Sequence, residues 1–381
     1  MIQTNSNNKL LDILRIVILA VFCCLLIIPM CAYLVAISHD TPELQPAPDA
    51  AIMDQFDTLV SNALMEAESA AVSVPKKFWL PEDTRIAPEP DPKKYGATAD
   101  PGSLQWLLDE AETILDGQKT LFSTQTVLLP GSVLNYYLDE SIFAITWKQL
   151  IDETVYTISE VKVSHPSQFR RHILDDEFDG PMLEIPSRMA QSVNAVVGSS
   201  ADHYRGRNAG IIVYEGKVKR INMQHYVDVC YVDHNGDLHF SYRGQLTDLE
   251  SAQAFVDEHD ISFSLAFGPI LVDNGVRCEP PSYLLGEVND RFARAALCQM
   301  GPLHYLVVTA NTEPGYYSHP DIHRFAEQIA SFGCEKAYTL DGGNTGSIVM
   351  NGRLINRTTY GYERPQGDLI FFCTAVPDHK K

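Results

Sequence analysis

Four dipeptides that end in glycine, each between short runs of β-branched and aromatic residues, limit the folds open to this chain. They are Glu215-Gly216, Asn235-Gly236, Asn274-Gly275 and Asn351-Gly352. Asn-Gly between alternating apolar runs is the strongest short signal for a two-residue hairpin turn, because both residues tolerate positive φ. Successive hairpins build antiparallel sheets, not repeated βαβ units. The pattern therefore predicts a largely antiparallel sheet.

The surrounding segments extend this pattern over the C-terminal part of the chain. Further β-branched and aromatic runs lie at Ile142–Leu150 and Thr154–Val163, and such residues favour strands. Helical spacing of apolar residues marks Leu246–His259 and Pro320–Phe332, and a glycine that suits a C-cap follows the second segment. We predict an α+β fold, a mixed, largely antiparallel sheet with packed helices, in one domain spanning 131–381.

One strand–helix–strand crossover is also predicted. Leu303–Thr309 and Lys336–Leu340 are apolar strand candidates on either side of the second helix. Asp341 then lies at the carboxyl end of the second strand, and ligand sites favour that end of a strand.

A long apolar run near the N-terminus predicts a membrane anchor. Ile16–Ile37 holds 22 residues without a charge, and a helix of that length covers about 33 Å, enough to span a hydrocarbon core. Lys9 and Arg15 precede the run, so the positive-inside rule predicts a cytoplasmic tail over 1–15, a transmembrane helix over 16–37 and an extracytoplasmic remainder. A cleaved leader is the alternative, although its apolar core is normally about 7–15 residues long.

Residues 38–130 have the composition of a stalk or linker. Proline-rich segments at 41–48 and 81–101 favour extended chain. Apolar residues recur at helical spacing in Ala51–Ala71 and Leu104–Leu115. The sequence therefore predicts a stalk with short helices between the membrane and the domain.

Charge and cysteine content argue against several classes of protein. The formal net charge is −20, and a surface of that sign offers no electrostatic footprint for nucleic acid. The cysteines beyond the apolar run show no C-x-x-C pair and no metal-ligand spacing, which indicates small buried side chains, not a disulfide scaffold or a zinc site. They are Cys230, Cys278, Cys298, Cys334 and Cys373.

The segment around Asp341 is the leading candidate for chemistry. A single acid follows a strand-prone run and precedes Gly342 and Gly343. Glycine lets the backbone fold tightly and bring its N–H groups against a ligand. The alternative is a plain strand–turn–strand in which the aspartate caps the turn, and this segment alone does not decide between the two.

An ordered set of motifs favours the functional interpretation of this segment. Phe267-Gly268-Pro269-Ile270-Leu271-Val272, Arg294, Leu340-Asp341-Gly342-Gly343, Asn351-Gly352 and Glu363-Arg364 follow one another along the chain. This order resembles the phosphodiester glycosidase family, and the likeness spans roughly Met189 to Phe372. The family's glycine turn ends in Gly-Ser-Ser where this chain has Asn344-Thr345-Gly346, and its first motif has Asn-Gly where this chain has Ser200-Ala201.

The resemblance implies a set of site residues. Cleavage of a glycosyl phosphodiester needs a carboxylate for the oxocarbenium-like centre and cationic or N–H donors for the phosphate. The implied catalytic residues are Asp341 (base, nucleophile or electrostatic stabiliser), Arg294 (phosphate fork), Asp202 (a second carboxylate, as acid) and His203 (an alternative proton donor). The implied substrate-binding residues are Ser200, Arg207, Gly342, Gly343, Asn344, Thr345 and Arg364, with backbone N–H groups of the glycine turn as an anion nest.

The metal requirement stays open. Carboxylates with asparagine and threonine oxygens suit Ca²⁺ or Mg²⁺, but the sequence contains no ordered ligand loop.

The functional hypothesis is a membrane-anchored extracytoplasmic hydrolase that cleaves a sugar-1-phosphate diester in cell-envelope polysaccharide or a related glycoconjugate. One alternative is a catalytically degenerate relative that binds glycan phosphate or takes part in exopolysaccharide assembly, because several motif positions differ from the family pattern. Another is a membrane-tethered scaffold without a ligand.

Overall fold

The computed structural model describes residues 86–98, 102–115, 133–222, 227–280 and 290–376. The predicted transmembrane helix over 16–37 and the predicted helix over 51–71 lie outside these ranges. Within them, no helix is both long enough and apolar enough to cross a membrane.

Strands dominate the described residues, and helices are few. The strands are β1 (Tyr95–Thr98), β2 (Leu134–Leu138), β3 (Ile142–Ile151), β4 (Thr154–Val163), β5 (Phe169–Ile173), β6 (Val197–Ser199), β7 (Gly210–Tyr214), β8 (Lys217–Asn222), β9 (Val229–Asp233), β10 (Leu238–Ser241), β11 (Ile261–Leu265), β12 (Ile270–Asp273), β13 (Val276–Arg277), β14 (Arg294–Gly301), β15 (His304–Asn311), β16 (Lys336–Leu340), β17 (Ile348–Met350), β18 (Arg353–Leu354) and β19 (Asp368–Phe372). The α-helices are α1 (Gly102–Ile114), α2 (Pro186–Ser192), α3 (Leu249–Glu258) and α4 (Ile322–Ser331). Short 3₁₀ turns occupy Pro92–Lys94, Pro166–Gln168 and Leu174–Asp176.

The strands form three sheets, where the sequence analysis expected one. The first has the order β1-β2-β3-β4-β15-β14-β16-β12-β13, the second β10-β9-β11-β7-β8 and the third β18-β17-β6-β19-β5. Adjacent strands pair antiparallel throughout, as in β14 with β15 and β17 with β6. The predicted antiparallel α+β character is confirmed.

All four predicted hairpins form. They join β7 to β8, β9 to β10, β12 to β13 and β17 to β18. In the Asn351-Gly352 turn the two φ angles are 52° and 63°, the left-handed pair that a two-residue hairpin needs.

The predicted crossover also forms, with one strand inserted. β14 pairs antiparallel with both β15 and β16, so β15 and β16 run parallel and α4 connects them. The helix holds Ile322, Phe325, Ala326 and Ile329 buried on one face, which is the apolar stripe that the sequence shows. The crossover delivers the end of β16, and with it Asp341, next to the start of β14.

The nine-stranded sheet is covered on both faces. Alternate residues of β14 divide between two clusters: Ala296 and Cys298 pack in the cluster that contains residues of α1 and α4. Ala295 and Leu297 pack with apolar residues of the second and third sheets. This period-two alternation places the interior between the large sheet and the two smaller ones.

Two segments that the sequence analysis assigned to the stalk contribute to this packing. β1 pairs with β2 at the edge of the large sheet, and Leu107 and Ala111 of α1 are fully buried in its core. The cysteines Cys230, Cys278, Cys298, Cys334 and Cys373 are free thiols.

Candidate functional site

Asp341 lies directly after β16, at the point where the large sheet meets the third sheet. Its backbone N–H donates to the carbonyl of Ala201, which follows β6. The carboxyl group is partly buried and forms a hydrogen bond with the side chain of Thr345. Burial raises the pKa of Asp341 to about 6, against the opposing effects of Thr345 and of the nearby Arg364 and Arg207. A carboxyl group with such a pKa exchanges a proton near neutral pH.

Two guanidinium groups, those of Arg364 and Arg207, lower the pKa of this carboxyl. Arg364 is exposed and donates through Nη1 to Oγ1 of Thr345 at 3.3 Å. Arg207 is half-buried and lies over the ring of Phe267, with 4.1 Å between Cζ and the ring centroid. The arrangement therefore offers positive charge next to a titrating acid, which suits an anionic ligand.

Asp202 is fully buried, and each of its carboxylate oxygens accepts a hydrogen bond. Its Oδ1 accepts from Nη2 of Arg171 at 2.7 Å, and its Oδ2 accepts from the backbone N–H of Ala266 at 2.7 Å. Arg171 also donates to Oδ2 of Asp368 from Nε and Nη2, at 3.0 and 2.6 Å, and to the carbonyl of Ser264. The result is a buried Asp–Arg–Asp cluster.

The electrostatics of this cluster follow from its burial. Burial and the neighbouring Asp202 raise the pKa of Asp368 above its usual range, although Arg171 opposes the shift. The two carboxylates keep the pKa of Arg171 above its ordinary value, against the effect of burial. Because Asp202 also raises the pKa of Asp341, the cluster and the candidate acid are electrostatically linked.

His203 sits in a left-handed backbone conformation, with φ of 50°. Its Nδ1 is buried without a hydrogen-bond partner, and a Cβ atom added to Gly206 would lie 2.0 Å from its Nε2. Burial and the charge of Arg364 lower the pKa of the imidazole. The neutral form of His203 is therefore favoured beside the site.

Ser200 joins two strands of the third sheet. It is fully buried, its N–H donates to the carbonyl of Ser347, and its Oγ accepts from the N–H of Ser347 at 3.1 Å. The hydroxyl that the sequence analysis assigned to substrate thus serves the backbone of the glycine turn.

The glycine turn packs tightly against β14. A Cβ atom on Gly342 would lie 2.3 Å from the carbonyl oxygen of Ala293, and the N–H of Gly343 donates to that same carbonyl. The Gly343 N–H, predicted as part of an anion nest, therefore already donates a hydrogen bond within the protein. Asn344 accepts the backbone N–H of Tyr360 on its Oδ1 at 3.0 Å, which ties the turn to the loop after β18.

The backbone of Arg294 lies directly beside this turn. A Cβ atom built on Gly342 would be 2.9 Å from the Cα of Arg294. Its guanidinium is buried and donates through Nη2 to the carbonyl of Asp290 at 2.5 Å. Burial and the charge of Arg294 lower the pKa of His319. The side chains that tune Asp341 are Thr345, Arg364, Arg207 and Asp202.

His319 lines a cleft of about 530 Å³ near the same end of the large sheet. Asp341 is not among the described residues that line it. The lining residues are Ile151, Asp152, Glu153, Thr154, Tyr156, Arg291, Ser318, His319, Pro320, Asp321 and Arg324. The candidate site lies at Asp341, because its raised pKa and the effects of Arg364 and Arg207 on it distinguish this acid.

Sequence reasoning missed Arg171 and Asp368. Arg171 precedes the stretch that carries the family motifs, so the motifs could not point to it. The available signal is the alternation in β5, where Phe169, Arg171 and Ile173 are buried on one face. A charged residue in a core-facing strand position needs a buried partner.

Asn311, at the end of β15, is a further buried polar residue. Its side chain is buried, and neither Nδ2 nor Oδ1 has a hydrogen-bond partner in the structure.

The described residues contain no group of three or more His, Cys, Asp or Glu side chains that could hold a metal ion.

The fold and this geometry define an α+β protein in which a partly buried carboxyl group, Asp341, has its pKa lowered by two arginine side chains and raised by burial. The sequence pattern of the phosphodiester glycosidase family matches residues 190–373. The resemblance to this family that the motifs predict is confirmed for this part of the chain.

Solved structures similar to the chain include the following two. A hypothetical protein from Synechocystis has 13% identity and a TM-score of 0.43, with 61% of this chain and 62% of that chain covered. The chain thus spans less than two thirds of that protein. The zebrafish N-acetylglucosamine-1-phosphodiester alpha-N-acetylglucosaminidase catalytic domain, auto-inhibited by its pro-peptide, has 15% identity and a TM-score of 0.45, with 61% and 82% covered. No curated protein matches the chain.

Proposed function

We propose that this protein hydrolyses sugar-1-phosphate diesters, with Asp341 as the general base. The observation that carries the proposal is the Asp341 carboxyl group, whose pKa is raised to about 6 by burial while Arg364 and Arg207 stand nearby. A base whose pKa lies close to the working pH is the most effective proton acceptor. The match of residues 190–373 to the phosphodiester glycosidase family supports the reaction class.

The chemistry requires one base and a stabilised leaving group. Ionised Asp341 accepts a proton from the attacking water, the water oxygen bonds to the anomeric carbon, and the bond from that carbon to the phosphate oxygen breaks. The electron pair of the broken bond leaves with the phosphate monoester. Arg364 and Arg207 offset the added negative charge on that phosphate, which lowers the need for a separate proton donor.

The proposed setting is the outer face of a membrane. The apolar run over 16–37 and the basic residues before it support a single-pass anchor with the domain outside the cell. The proposed substrate there is a glycosyl phosphodiester of an envelope polysaccharide or glycoconjugate. Protease protection of the domain in sealed, right-side-out membrane preparations would contradict this orientation.

The test of the activity uses the full-length protein in detergent and a panel of sugar-1-phosphate diesters that begins with N-acetylglucosamine. Release of free reducing sugar is expected from the wild type and at least a 100-fold loss of rate from Asp341→Asn. Arg188→Ala is the matched control, because Arg188 is exposed and forms only a 3.7 Å ion pair with Glu184. A wild type that releases no sugar from any diester would overturn the proposal.

A second candidate is a glycan-phosphate-binding protein without catalysis. The observation that favours it is the engagement of both Asp202 oxygens by Arg171 and by the N–H of Ala266, since this removes one of the two carboxyl groups that glycosidases normally use. Calorimetry that detects binding of the same diesters by the wild type, with no sugar released over hours, would favour this candidate.

A further inference from the structure

Two thiols meet in the core beside α4. Cys298 lies on β14, Cys334 follows α4, and both are buried in the apolar cluster that contains the inner face of α4. A hydrogen bond joins the two thiol groups, and Sγ of Cys334 also donates to the carbonyl of Ile329 at 3.5 Å. The two sulfur atoms are therefore neighbours inside a closed core.

The backbone fixes the positions of both cysteines. Cys298 pairs directly with Ala337 of β16, which lies shortly after Cys334 in the chain. The N–H of Glu335 donates to the carbonyl of Gln299 at 2.9 Å, so the two segments are also joined at the residues adjacent to the cysteines. Because a disulfide bond requires a defined separation and direction of its two Cβ atoms, a pair held by strand pairing is better placed for bridging than one on a flexible loop.

The other cysteines of the described ranges have different neighbours. The thiols of Cys230, Cys278 and Cys373 contact backbone carbonyl oxygens at 4.0, 3.9 and 3.4 Å. Cys298 and Cys334 are the described cysteines whose thiols contact each other. About 36 positions separate them along the chain, a spacing that matches no metal-binding or redox motif, so sequence reasoning could not pair them.

The burial of the two thiols determines when a bond between them can form. Burial raises the pKa of the Cys298 thiol, and the neighbouring Cys334 thiol raises it further. The thiolate is the nucleophile in thiol–disulfide exchange, and a cysteine buried in apolar surroundings is inert. A bond between the two sulfur atoms must therefore form while the chain folds, before the core around them closes.

We propose that Cys298 and Cys334 form a disulfide bond that closes as the domain folds in an oxidising compartment. The oxidant is itself a disulfide, such as oxidised glutathione or a thiol–disulfide exchange protein. An extracytoplasmic domain, as proposed above, meets such an oxidant.

The bond forms in two exchange steps. The thiolate of one cysteine attacks a sulfur of the oxidant, which gives a mixed disulfide and releases one thiolate. The thiolate of the second cysteine then attacks the first cysteine's sulfur and releases the other half of the oxidant. The two cysteines together lose two electrons and two protons, and the oxidant becomes two thiols.

The bridge closes a loop that contains β15 and α4, the whole crossover that precedes β16. A cross-link of this kind restricts the unfolded chain, and the restriction grows with the length of the closed loop. For a loop of about 36 residues in a domain of this size, the oxidised protein is expected to melt at least about 5 °C above the reduced protein.

The first experiment identifies the bond. The reduced full-length protein is unfolded in urea and refolded by dilution into detergent that contains reduced and oxidised glutathione. Free thiols are then alkylated, and the peptides are mapped by mass spectrometry without reduction. A peptide pair linked through Cys298 and Cys334 is expected, with Cys230 and Cys373 alkylated. Refolded protein in which Cys298 and Cys334 are alkylated, or are linked to other cysteines, would overturn the proposal.

The order of addition tests the requirement for folding. The same glutathione mixture added to folded, reduced protein should form the linkage at least tenfold more slowly than it forms during refolding, because both sulfur atoms are then buried. Equal rates would overturn the folding-coupled step.

The second experiment measures the Tm of each protein with and without dithiothreitol. The redox-dependent difference in Tm should be present in the wild type and absent from Cys334→Ala and from Cys298→Ala. Cys373→Ala is the matched control, because Cys373 is also buried and its thiol contacts a carbonyl, and it should keep the difference. Comparing each protein with itself cancels the packing lost on substitution. A difference that survives in Cys334→Ala, or that the wild type lacks, would overturn the proposal.

Discussion

Arg171 and Asp202 form an ion pair of 2.7 Å in which neither side chain is exposed to solvent. The same guanidinium reaches Asp368 at 2.6 Å, so one cation on β5 pairs with two buried carboxylates, one on β19 and one in the segment after β6. Burying charges is unfavourable unless each is paired. The three side chains therefore depend on one another, and they fix the segment that leads to His203.

Replacement of Arg171 by Met is expected to lower the free energy of unfolding by about 3–5 kcal/mol, because two carboxylates would remain buried without their cation. Urea denaturation followed by circular dichroism measures the change. Arg188→Ala is the control, and its exposed pair with Glu184 should contribute less than about 1 kcal/mol. Equal effects of the two substitutions would contradict the assigned role of the cluster.

The two glycines after Asp341 are expected to differ sharply on substitution by alanine. A Cβ atom on Gly342 would meet the Ala293 carbonyl at 2.3 Å, whereas one on Gly343 meets nothing within 4 Å. Gly343→Ala should cost about 1–2 kcal/mol for its left-handed φ of 60°. Gly342→Ala must displace backbone and should cost about 3 kcal/mol or more.

Thermal and urea unfolding of the two glycine variants, side by side with activity, measure this difference. Gly342→Ala should also abolish turnover, since the displaced backbone carries Asp341. A Gly342→Ala variant as stable as Gly343→Ala would show that the turn can shift without cost.

The hairpins and the crossover could be predicted because their signals are local. Asn351-Gly352 specifies its turn through the φ angles of two adjacent residues, and the stripe from Ile322 to Ile329 specifies a helix face within ten residues. The division into three sheets could not be predicted, because strand order depends on pairings such as β6 with β19, which join residues far apart in the chain.

The candidate site was predictable only in part, for the same reason. Asp341 and its glycines carry a local signature, and they lie where the strand end predicts. The Asp202–Arg171 pair joins positions 31 residues apart, and only the folded chain brings them together. The motif position predicts Asp202 as a catalytic acid and Ser200 as a substrate-binding residue. The contacts that engage them come from β5 and from the glycine turn.

Arg364→Gln is expected to move the acidic limb of the rate profile to higher pH. The Arg364 charge lowers the pKa of Asp341, so removing it makes the ionised base harder to form. Because Arg364 is exposed, solvent and salt screen the effect, and a shift of about half a pH unit is expected. The measurement is kcat against pH between 4.5 and 8, at ~50 mM salt.

The wild type supplies an internal comparison for that shift. Raising the salt concentration screens Arg364 in the intact protein, so the wild-type limb should move in the same direction, toward that of the variant. A limb that moves to lower pH in either experiment would contradict the electrostatic link between Arg364 and Asp341.

Asp341→Asn is expected to stabilise the protein above pH 6 while it removes activity. The folded-state pKa of Asp341 is raised to about 6 from a usual value of 3.8, so the folded protein holds the proton more tightly than the unfolded chain does. As pH rises from about 4 to 6, the unfolded chain ionises first, and the wild type loses stability on the order of 2–3 kcal/mol. The asparagine variant has no such loss.

Urea titrations of both proteins at pH 3.5, 5 and 7.5 measure the predicted difference. The two free energies of unfolding should agree most closely at pH 3.5, diverge at pH 5 and differ by a constant amount above pH 6, with the variant the more stable. Since Thr345 can donate to the asparagine carbonyl oxygen as it does to the carboxyl group, the substitution keeps that contact. A variant less stable than the wild type at pH 7.5 would mean that ionised Asp341 stabilises the fold, and the raised pKa on which the proposed base depends would be wrong.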